Sequence, residues 1–478
     1  MENVIETGIK EKVDSNDKID EEKLKEKARK TSIKEGCAYC VSDGFGFRNV
    51  TPYALAIGAD NAVIGLLSSV PSLIANLSQL FTAKLMKRYT RKQIVVFSVF
   101  LQALMWLFLL IPGILFFGFA INSEVSSISL VFIYTLLVLS GAIAGPPWQS
   151  WMKDITPKRN GNYFGRRNRI CGFVSLAMML VAGFILDYFK QTKIFLAFVI
   201  LFFVSFVFRS IGGLLFVTQY EPKFKYEAST HFSFLQFLKK MPSNNFGRFV
   251  MFISFISLAT AIASPFFAVY MLKERGFSYV SYMIIALAST LTGLVSMTLW
   301  GNFADKYGNL KLMKICGTFV FIMPFAYLST MFISSNTTAI IAIFCIEAFS
   351  GFVWGGFNLA SGNFIYDAVT DQRLPICASY FNIINGFGAF VGATVGGLLG
   401  TIAFDLPKVV FLSSLAVVFV LSGFLRLGVY LFMIPKLKEV RDVDHFDTKK
   451  HIKEKLSILN PMKLIESLGI GMNNAGVG

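Results

Sequence analysis

Five ionisable side chains interrupt long apolar stretches of the chain, where charge is rare. They are Asp43, Arg48, Arg209, Glu347 and Arg426. A charge at membrane depth is costly and is usually paired or functional, so these positions are the first candidates for solute binding or proton transfer. A carboxyl group that is removed from water binds a proton more readily. Asp43 and Glu347 are therefore candidate carriers of a coupling proton.

The positions of Arg48 and Glu347 along their segments place them at a similar depth. Arg48 lies 12 residues into a segment that begins at Gly36, roughly 18 Å at the rise of an α-helix, and Glu347 lies 8 residues into one that begins at Ala339, about 12 Å. We expect both to face a central cavity, where they either pair or bind opposite groups of a solute. On a continuous helix Asp43 is rotated about 140° from Arg48, so one face is not expected to present both.

Polar and aromatic residues follow Glu347 at helical spacing. Gly351, Trp354 and Asn358 recur at intervals of 4, 3 and 4 residues, which places the four on one stripe of a helix. A carboxylate, an indole and an amide on a single face suit a polar or amphiphilic organic solute. The same periodicity is also typical of a stripe that packs against a neighbouring helix.

The elements that carry these residues are membrane segments. The chain has 478 residues, of which 54% are hydrophobic and 15% charged, whereas soluble proteins have about 25% charged residues. The apolar residues form about twelve stretches of roughly 17 or more, each long enough to cross a bilayer as a helix. The net charge of +16 therefore does not indicate a nucleic-acid partner. The sequence predicts an all-α, polytopic membrane protein.

The distribution of the positive charge indicates how the chain is oriented in the membrane. Alternate connections between the predicted helices hold 20 and 5 Lys or Arg residues, and the basic set lies on the same side as both termini. Basic loops remain in the cytoplasm, so we expect cytoplasmic termini in the cell membrane. The predicted parts are a charged arm (1–35), a six-helix bundle (36–217), a linker (218–248), a second six-helix bundle (249–433) and a tail (434–478).

The two predicted bundles resemble each other at an offset of about 210 to 218 residues. Corresponding pairs include Thr51 with Ser264, Asp154 with Asp367, and Arg209 with Arg426. Six crossings is an even number, so both copies have the same orientation, as in transporters built from parallel repeats. The twin arginines suit a shared scaffold or gate, either by reaching the inner headgroups or by pairing with a cytoplasmic carboxylate.

The loop GNFADKYGNLK resembles the cytoplasmic signature of the major facilitator superfamily, matched by Gly301, Asp305, Lys306, Gly308 and Lys311. The stretches PPWQSWMKDITP, YFGRRNRI, SPFFAVYML and GFNLASGNFIYD are similar to those of a prokaryotic branch of that superfamily. The resemblance implies two six-helix bundles around a central cavity. It also implies that Asp305 holds the cytoplasmic side closed by facing a helix N-terminus, a contact that favours a carboxylate.

Two further features concern the inner side and the packing of helices. Arg166 and Arg167 are basic residues that set topology, or else form an inner gate with Asp154. A row of small residues in the eleventh segment permits close helix contact with some sliding, and it consists of Gly388, Gly392, Gly396 and Gly400.

These features predict a secondary active transporter of a small organic solute, coupled to protons and working as a monomer by alternating access. A passive uniporter and a non-transporting receptor with a transporter fold remain alternatives. No cofactor or metal is expected, and an enzyme would need a reactive cluster that the embedded residues do not offer. The chain has no G-x-x-x-x-G-K-(S/T) loop, so ATP drive is not expected.

Overall fold

The computed structural model describes residues 2–156, 161–222, 233–370, 373–401 and 413–443. Residues 223–232 of the predicted linker and 444–478 of the predicted tail lie outside the described residues. The helices of the first half are α1 (Glu2–Phe45), α2 (Val50–Ala56), α3 (Asn61–Leu85), α4 (Arg91–Phe108), α5 (Ile111–Gly113), α6 (Ser123–Ile155), α7 (Gly161–Phe189) and α8 (Ile194–Thr218). After α9 (Phe234–Lys240), those of the second half are α10 (Asn245–Ala261), α11 (Phe266–Val269), α12 (Tyr279–Tyr307), α13 (Asn309–Val320), α14 (Met323–Thr330), α15 (Asn336–Ala368), α16 (Leu374–Thr401) and α17 (Ser414–Met433).

Eleven helical stretches among the described residues are long and apolar enough to cross a membrane. The first of the twelve predicted spans, 36–58, is not one of them because its helix is interrupted between α1 and α2. Gly46 leaves the helical conformation at φ −97° and ψ −82°, and a 3-10 turn follows at Phe47–Asn49. The Asn49 amide donates to the carbonyls of Gly44 and Phe45, at 3.1 and 2.9 Å. Those bonds satisfy backbone acceptors that the break would otherwise leave buried and unpaired.

The two halves repeat each other in detail. The third span of the first half is α4 followed by α5, and its counterpart is α13 followed by α14, with Pro112 and Pro324 in the first turn of the second piece. Proline is tolerated in a first turn because the N–H it lacks would have no partner there. Within the halves, α1 packs on α7 and α8, and α12 packs on α15. Between the halves, α3 packs on α16, α7 on α12 and α2 on α11.

Glycines on α16 face two different helices. Gly388 and Gly392 approach backbone carbonyls of α10, and Gly396 approaches that of Ile262 directly after α10, in the same half. Gly397 instead approaches backbone atoms at the start of α3, in the other half, and Gly400 approaches the side chain of Asn61 there. The predicted glycine row therefore makes close helix contacts, but it is divided between one helix of its own half and one of the opposite half.

The helix α1 extends well beyond its membrane segment. The alternating charges of 20–34 predict a solvated or disordered arm, and that prediction is wrong. Ala28 and Ser32 are buried, and Ala28 packs in a cluster with Trp151 and Ile155. Arg29 donates to the Ile155 carbonyl at 3.0 Å. The alternating charges cover the exposed side of this helix, while small residues allow its other side to pack.

Candidate functional site

Three members of the predicted stripe of α15 line a cavity in the second half, while the fourth, Gly351, packs against the Ser289 carbonyl of α12. Glu347, Trp354 and Asn358 all contribute to its wall, and the volume is about 380 Å³. Arg426 of α17 and Tyr327 of α14 complete the polar part of the lining. We call this space the second-half cavity. The stripe therefore faces a space that a small solute could occupy.

The Glu347 carboxylate is held by a tyrosine. The Tyr327 hydroxyl donates to Glu347 Oε1 at 2.6 Å, and the ring of Phe267 stacks on Tyr327 with centroids 4.1 Å apart. Among the described residues no cation lies within ion-pair distance of Glu347. The expected pair with Arg48 is therefore not formed, although Tyr282 of α12 lies within electrostatic range of both charges. A tyrosine donor fixes the carboxylate without neutralising it.

Arg426 is almost fully buried, with 2% of its surface exposed. Its guanidinium donates to the hydroxyl of Ser422 at 3.1 Å and to the carbonyls of Val320 and Thr260 at 3.0 and 3.4 Å. All three acceptors are neutral. The prediction that this arginine reaches the headgroups or pairs with a carboxylate is not what the described residues show.

A second cavity, of about 490 Å³, lies in the first half. Its wall includes Glu35, Tyr39 and Asp43, which are spaced by four residues on α1, together with Arg167 and Arg209. Arg209 lies 3.5 Å and Arg167 3.3 Å from the carboxylate oxygens of Glu35. Arg209 therefore pairs with a carboxylate, which was one of the two predicted options.

Sequence reasoning missed Glu35 because the boundary of the first predicted span fell just after it. The signal was present in the spacing of Glu35, Tyr39 and Asp43, since residues four apart share a helix face.

Asp43 and Arg48 lie together, with 4.0 Å between Oδ2 and Nε. The prediction that one face could not present both was wrong, because it assumed a continuous helix. The break at Gly46 turns Arg48 back toward Asp43. Asp43 also accepts a hydrogen bond from Ser175 of α7 at 2.9 Å.

The halves are hydrogen-bonded to each other at the end of the molecule that carries Asn61, Asp187 and Tyr279, which we call the far end. The Asp187 carboxylate accepts from the backbone N–H groups of Tyr279 and Val280, both at 2.8 Å. Asn61 donates to the Gly400 carbonyl at 2.6 Å. Asp187 belongs to α7, and the N–H groups belong to the first turn of α12, where a carboxylate is stabilising. The described halves are therefore closed against each other at the far end.

A family model described as "Major Facilitator Superfamily" matches residues 37–368. The chain belongs to the Major Facilitator Superfamily. Membership places it among membrane transporters and not among enzymes.

Two curated bacterial relatives match about a third of the chain. One is the proton-coupled antiporter flippase LtaA of Staphylococcus saprophyticus, 25% identical over 156 residues, and the other is the MFS-type transporter YqjV of Bacillus subtilis, 26% identical over 160 residues. Each match covers 32% of this chain, and 38% and 37% of the respective relatives.

Solved structures of two transporters share the fold over most of the chain. A bacterial homologue of the iron transporter ferroportin, in its inward-facing state, matches with a TM-score of 0.65 and 14% identity, covering 86% of this chain and 98% of that one. The nucleoside transporter NupG matches with a TM-score of 0.60 and 14% identity, covering 87% and 100%. These similarities show the fold.

The superfamily's loop signature has an unexpected partner. Asp305 is exposed and lies 3.8 Å from Arg441, in the segment after α17. The predicted contact of a carboxylate with a helix N-terminus is made by Glu439 of that segment and not by Asp305. Glu439 accepts from the backbone N–H of Leu310, in the first turn of α13, at 2.7 Å. Gly308 has φ +89°, and a Cβ there would collide with the Glu439 carboxylate, so a side chain at this position would be strained.

The remaining signature residues lie at the same end, which we call the basic end. Lys306 lies over the ring of Tyr307, 5.1 Å from its centroid, and Gly301 faces Leu359 of α15.

The first half has an equivalent arrangement. Glu221, after α8, accepts from the backbone N–H of Lys92 in the first turn of α4 at 3.3 Å. Asp154 pairs with Arg91. Arg166 is exposed and Arg167 binds Glu35, so the predicted gate between Asp154 and these two arginines is not formed.

Proposed function

We propose that this member of the superfamily is a proton-coupled secondary active transporter of a small organic solute, working by alternating access. It lies in the cell membrane as a monomer with both termini in the cytoplasm, so the far end is extracellular. The closed far end then corresponds to a state that is accessible from the cytoplasm.

The observation that carries the proposal is the Glu347 carboxyl group. It lies in a cavity of solute size, it is fixed by Tyr327, and it has no ion-pair partner among the described residues. A carboxyl group at membrane depth without a neutralising cation is stabilised by taking up a proton. A group that gains a proton in one state and releases it in another can couple solute movement to the proton gradient.

Other residues have separate roles in this proposal. Trp354 and Asn358 contact the solute, whereas Asp43 and Arg48 form a charge pair at the break of the first span that rearranges when the halves rock. The proposed gating residues are Gly301, Asp305, Lys306, Gly308 and Asp154, together with the arginines Arg166, Arg167, Arg209 and Arg426.

The relatives support proton coupling more than they support any solute. LtaA is named as a proton-coupled antiporter, while the structural neighbours are named for nucleosides and iron. We infer coupling from Glu347 and take no substrate from these names.

The test uses purified protein in liposomes. Solutes are screened by thermal stabilisation, and the stabilising ones are then tested for uptake with and without a pH gradient. We expect uptake to depend on the gradient in the wild type and in Glu124→Gln, a control that removes an exposed carboxylate. We expect Glu347→Gln to lose that dependence.

Three results would contradict parts of the proposal. Gradient-dependent uptake by Glu347→Gln would remove Glu347 from coupling. Uptake that ignores pH in the wild type would favour the passive uniporter. Binding without uptake would favour the receptor.

A further inference from the structure

The twin arginines differ in how their charge is compensated. In the first half, the charge of Arg209 lies beside the carboxylate of Glu35. In the second half, Arg426 contacts three neutral oxygens. A buried guanidinium without a counterion is strongly destabilising, because the interior does not replace the water it has lost.

The repeat shows where a counterion would be expected and is missing. The residues that correspond to Glu35 at offsets of 210 to 218 are 245–253, and none of them is acidic. The second half therefore keeps the arginine of the repeat without its carboxylate. Its guanidinium has five N–H donors, three of which are used on described residues, so one N–H on each terminal nitrogen remains for a ligand.

A second polar atom beside Arg426 also lacks a partner. The hydroxyl of Thr260 is buried and has no hydrogen bond among the described residues, although the Thr260 carbonyl accepts from Arg426. Both residues line the second-half cavity. Buried polar atoms are nearly always satisfied, so an unsatisfied hydroxyl on a cavity wall indicates a place for a ligand or water.

We propose that the second-half cavity binds an organic oxyanion, whose carboxylate or phosphate group pairs with Arg426 and accepts from Thr260. The inference rests on the proposed function and specifies its substrate class. The anion supplies the charge that Glu35 supplies in the first half. Trp354 and Phe267 provide apolar surface for the rest of the molecule.

Glu347 links this anion to the proton. Glu347 and Arg426 line the same cavity without forming an ion pair, so an ionised Glu347 repels an anion bound at Arg426. A proton on Glu347 removes that repulsion, so anion affinity rises as pH falls. Tyr327 on α14 and Tyr282 on α12 are the other titratable groups that face Glu347. Cys316 of α13 also contacts α15, but at Gly356, nine residues after Glu347. Arg48 acts electrostatically on Tyr282.

The test compares matched ligands on the purified, full-length protein at constant ionic strength. Benzoate and phenyl phosphate carry the anion, while benzamide has the same ring and no charge. We expect both anions to raise the melting temperature and benzamide to have no effect. Arg426→Gln should lose the response, and Arg426→Lys should retain part of it, because lysine keeps the charge but not the forked donors. Should Arg426→Gln not fold, Thr260→Val is expected to weaken anion binding several-fold.

The benzoate response is also measured at about pH 6 and about pH 8, where benzoate stays ionised. It should be stronger at the lower pH in the wild type and independent of pH in Glu347→Gln. Equal responses to benzoate and benzamide, or an unchanged response in Arg426→Gln, would overturn the inference. Gradient-driven uptake of only neutral or cationic solutes would overturn the inference of an anion site and leave the proposed function intact. Anion binding without uptake would support the anion site and contradict the proposed function.

Discussion

Glu35 is a buried carboxylate that pairs with two arginines of the first half. Its carboxylate binds Arg209 and Arg167, and only 4% of the side chain is exposed. The two guanidinium groups also lie over aromatic rings, Arg209 over Tyr39 at 4.9 Å and Arg167 over Trp148 at 5.0 Å. One carboxylate therefore holds two cations from α7 and α8 against α1.

We expect Glu35→Gln to destabilise the protein. Removing one partner of a buried ion pair costs about 3 to 5 kcal/mol, because the other charge remains buried and unpaired. Thermal unfolding in detergent is the measurement, and Glu22→Gln is the matched control, since Glu22 pairs with Arg29 at the surface. Equal melting temperatures for the two variants would show that Glu35 is not needed to neutralise the arginines.

The sequence predicted part of the site at this scale. Glu347, Trp354 and Asn358 share a cavity wall because they lie on an unbroken helix, where spacing alone fixes the face. The pair of Asp43 with Arg48 was not predictable in the same way. It depends on Gly46, where the ring of Trp106 fills the space that a side chain would need. Such a long-range contact leaves no local pattern in the sequence.

At the scale of elements, α7 and α12 are linked across the two halves by hydrogen bonds from a helix start to a carboxylate. Asp187 caps a helix that belongs to the other half. A capping carboxylate contributes about 1 kcal/mol, and this contribution exists only while the far end is closed. The contact can therefore bias the equilibrium between the two access states.

We expect Asp187→Asn to increase opening at the far end several-fold. Ser68 lines a cavity near the break of the first span, so Ser68→Cys reports on access when labelled by an impermeant maleimide, with the variant lacking this cysteine as background. Asp60→Asn is the control, because Asp60 caps α3 within its own half. An equal labelling rate in both carboxylate variants would contradict a role for Asp187 in closure.

The membrane helices were predictable because a span of roughly 20 apolar residues is a strong signal. The extension of α1 was not. Its packing depends on Ala28 and Ser32, and small residues carry little hydropathy even when they are fully buried. The caps provided by Glu221 and Glu439 were also missed, since each acts on a helix start that is distant in sequence.

For the whole molecule, the proposed alternating access requires the contact of α3 with α16 to form and separate. Ser69 and Thr394 mark that contact, with 3.4 Å between their hydroxyl oxygens. Cysteines at both positions would lie close enough to form a disulfide in the closed far-end state.

We expect Ser69→Cys with Thr394→Cys to crosslink under an oxidant such as copper phenanthroline. The crosslinked protein should lose transport and regain it with dithiothreitol, whereas each single variant should be unaffected. Transport by the fully crosslinked protein, measured in proteoliposomes, would show that the halves need not separate here.

The repeat was visible in the sequence because pairs such as Arg209 and Arg426 kept their order and offset. The pairing of Arg209 with Glu35 was missed although its signal is in the sequence, because Glu35 lies just before the first predicted span.

The division of the glycines on α16 has a consequence for natural variation. A bulkier residue at Gly392 or Gly396 would push α16 from α10 inside one half, and the cell would remove the misassembled protein, so its abundance would fall. A bulkier residue at Gly397 would press on α3 only while the far end is closed. That variant would reach the membrane in normal amounts and turn over at a different rate. Two adjacent glycines on one helix thus separate how much protein is present from how fast each copy works.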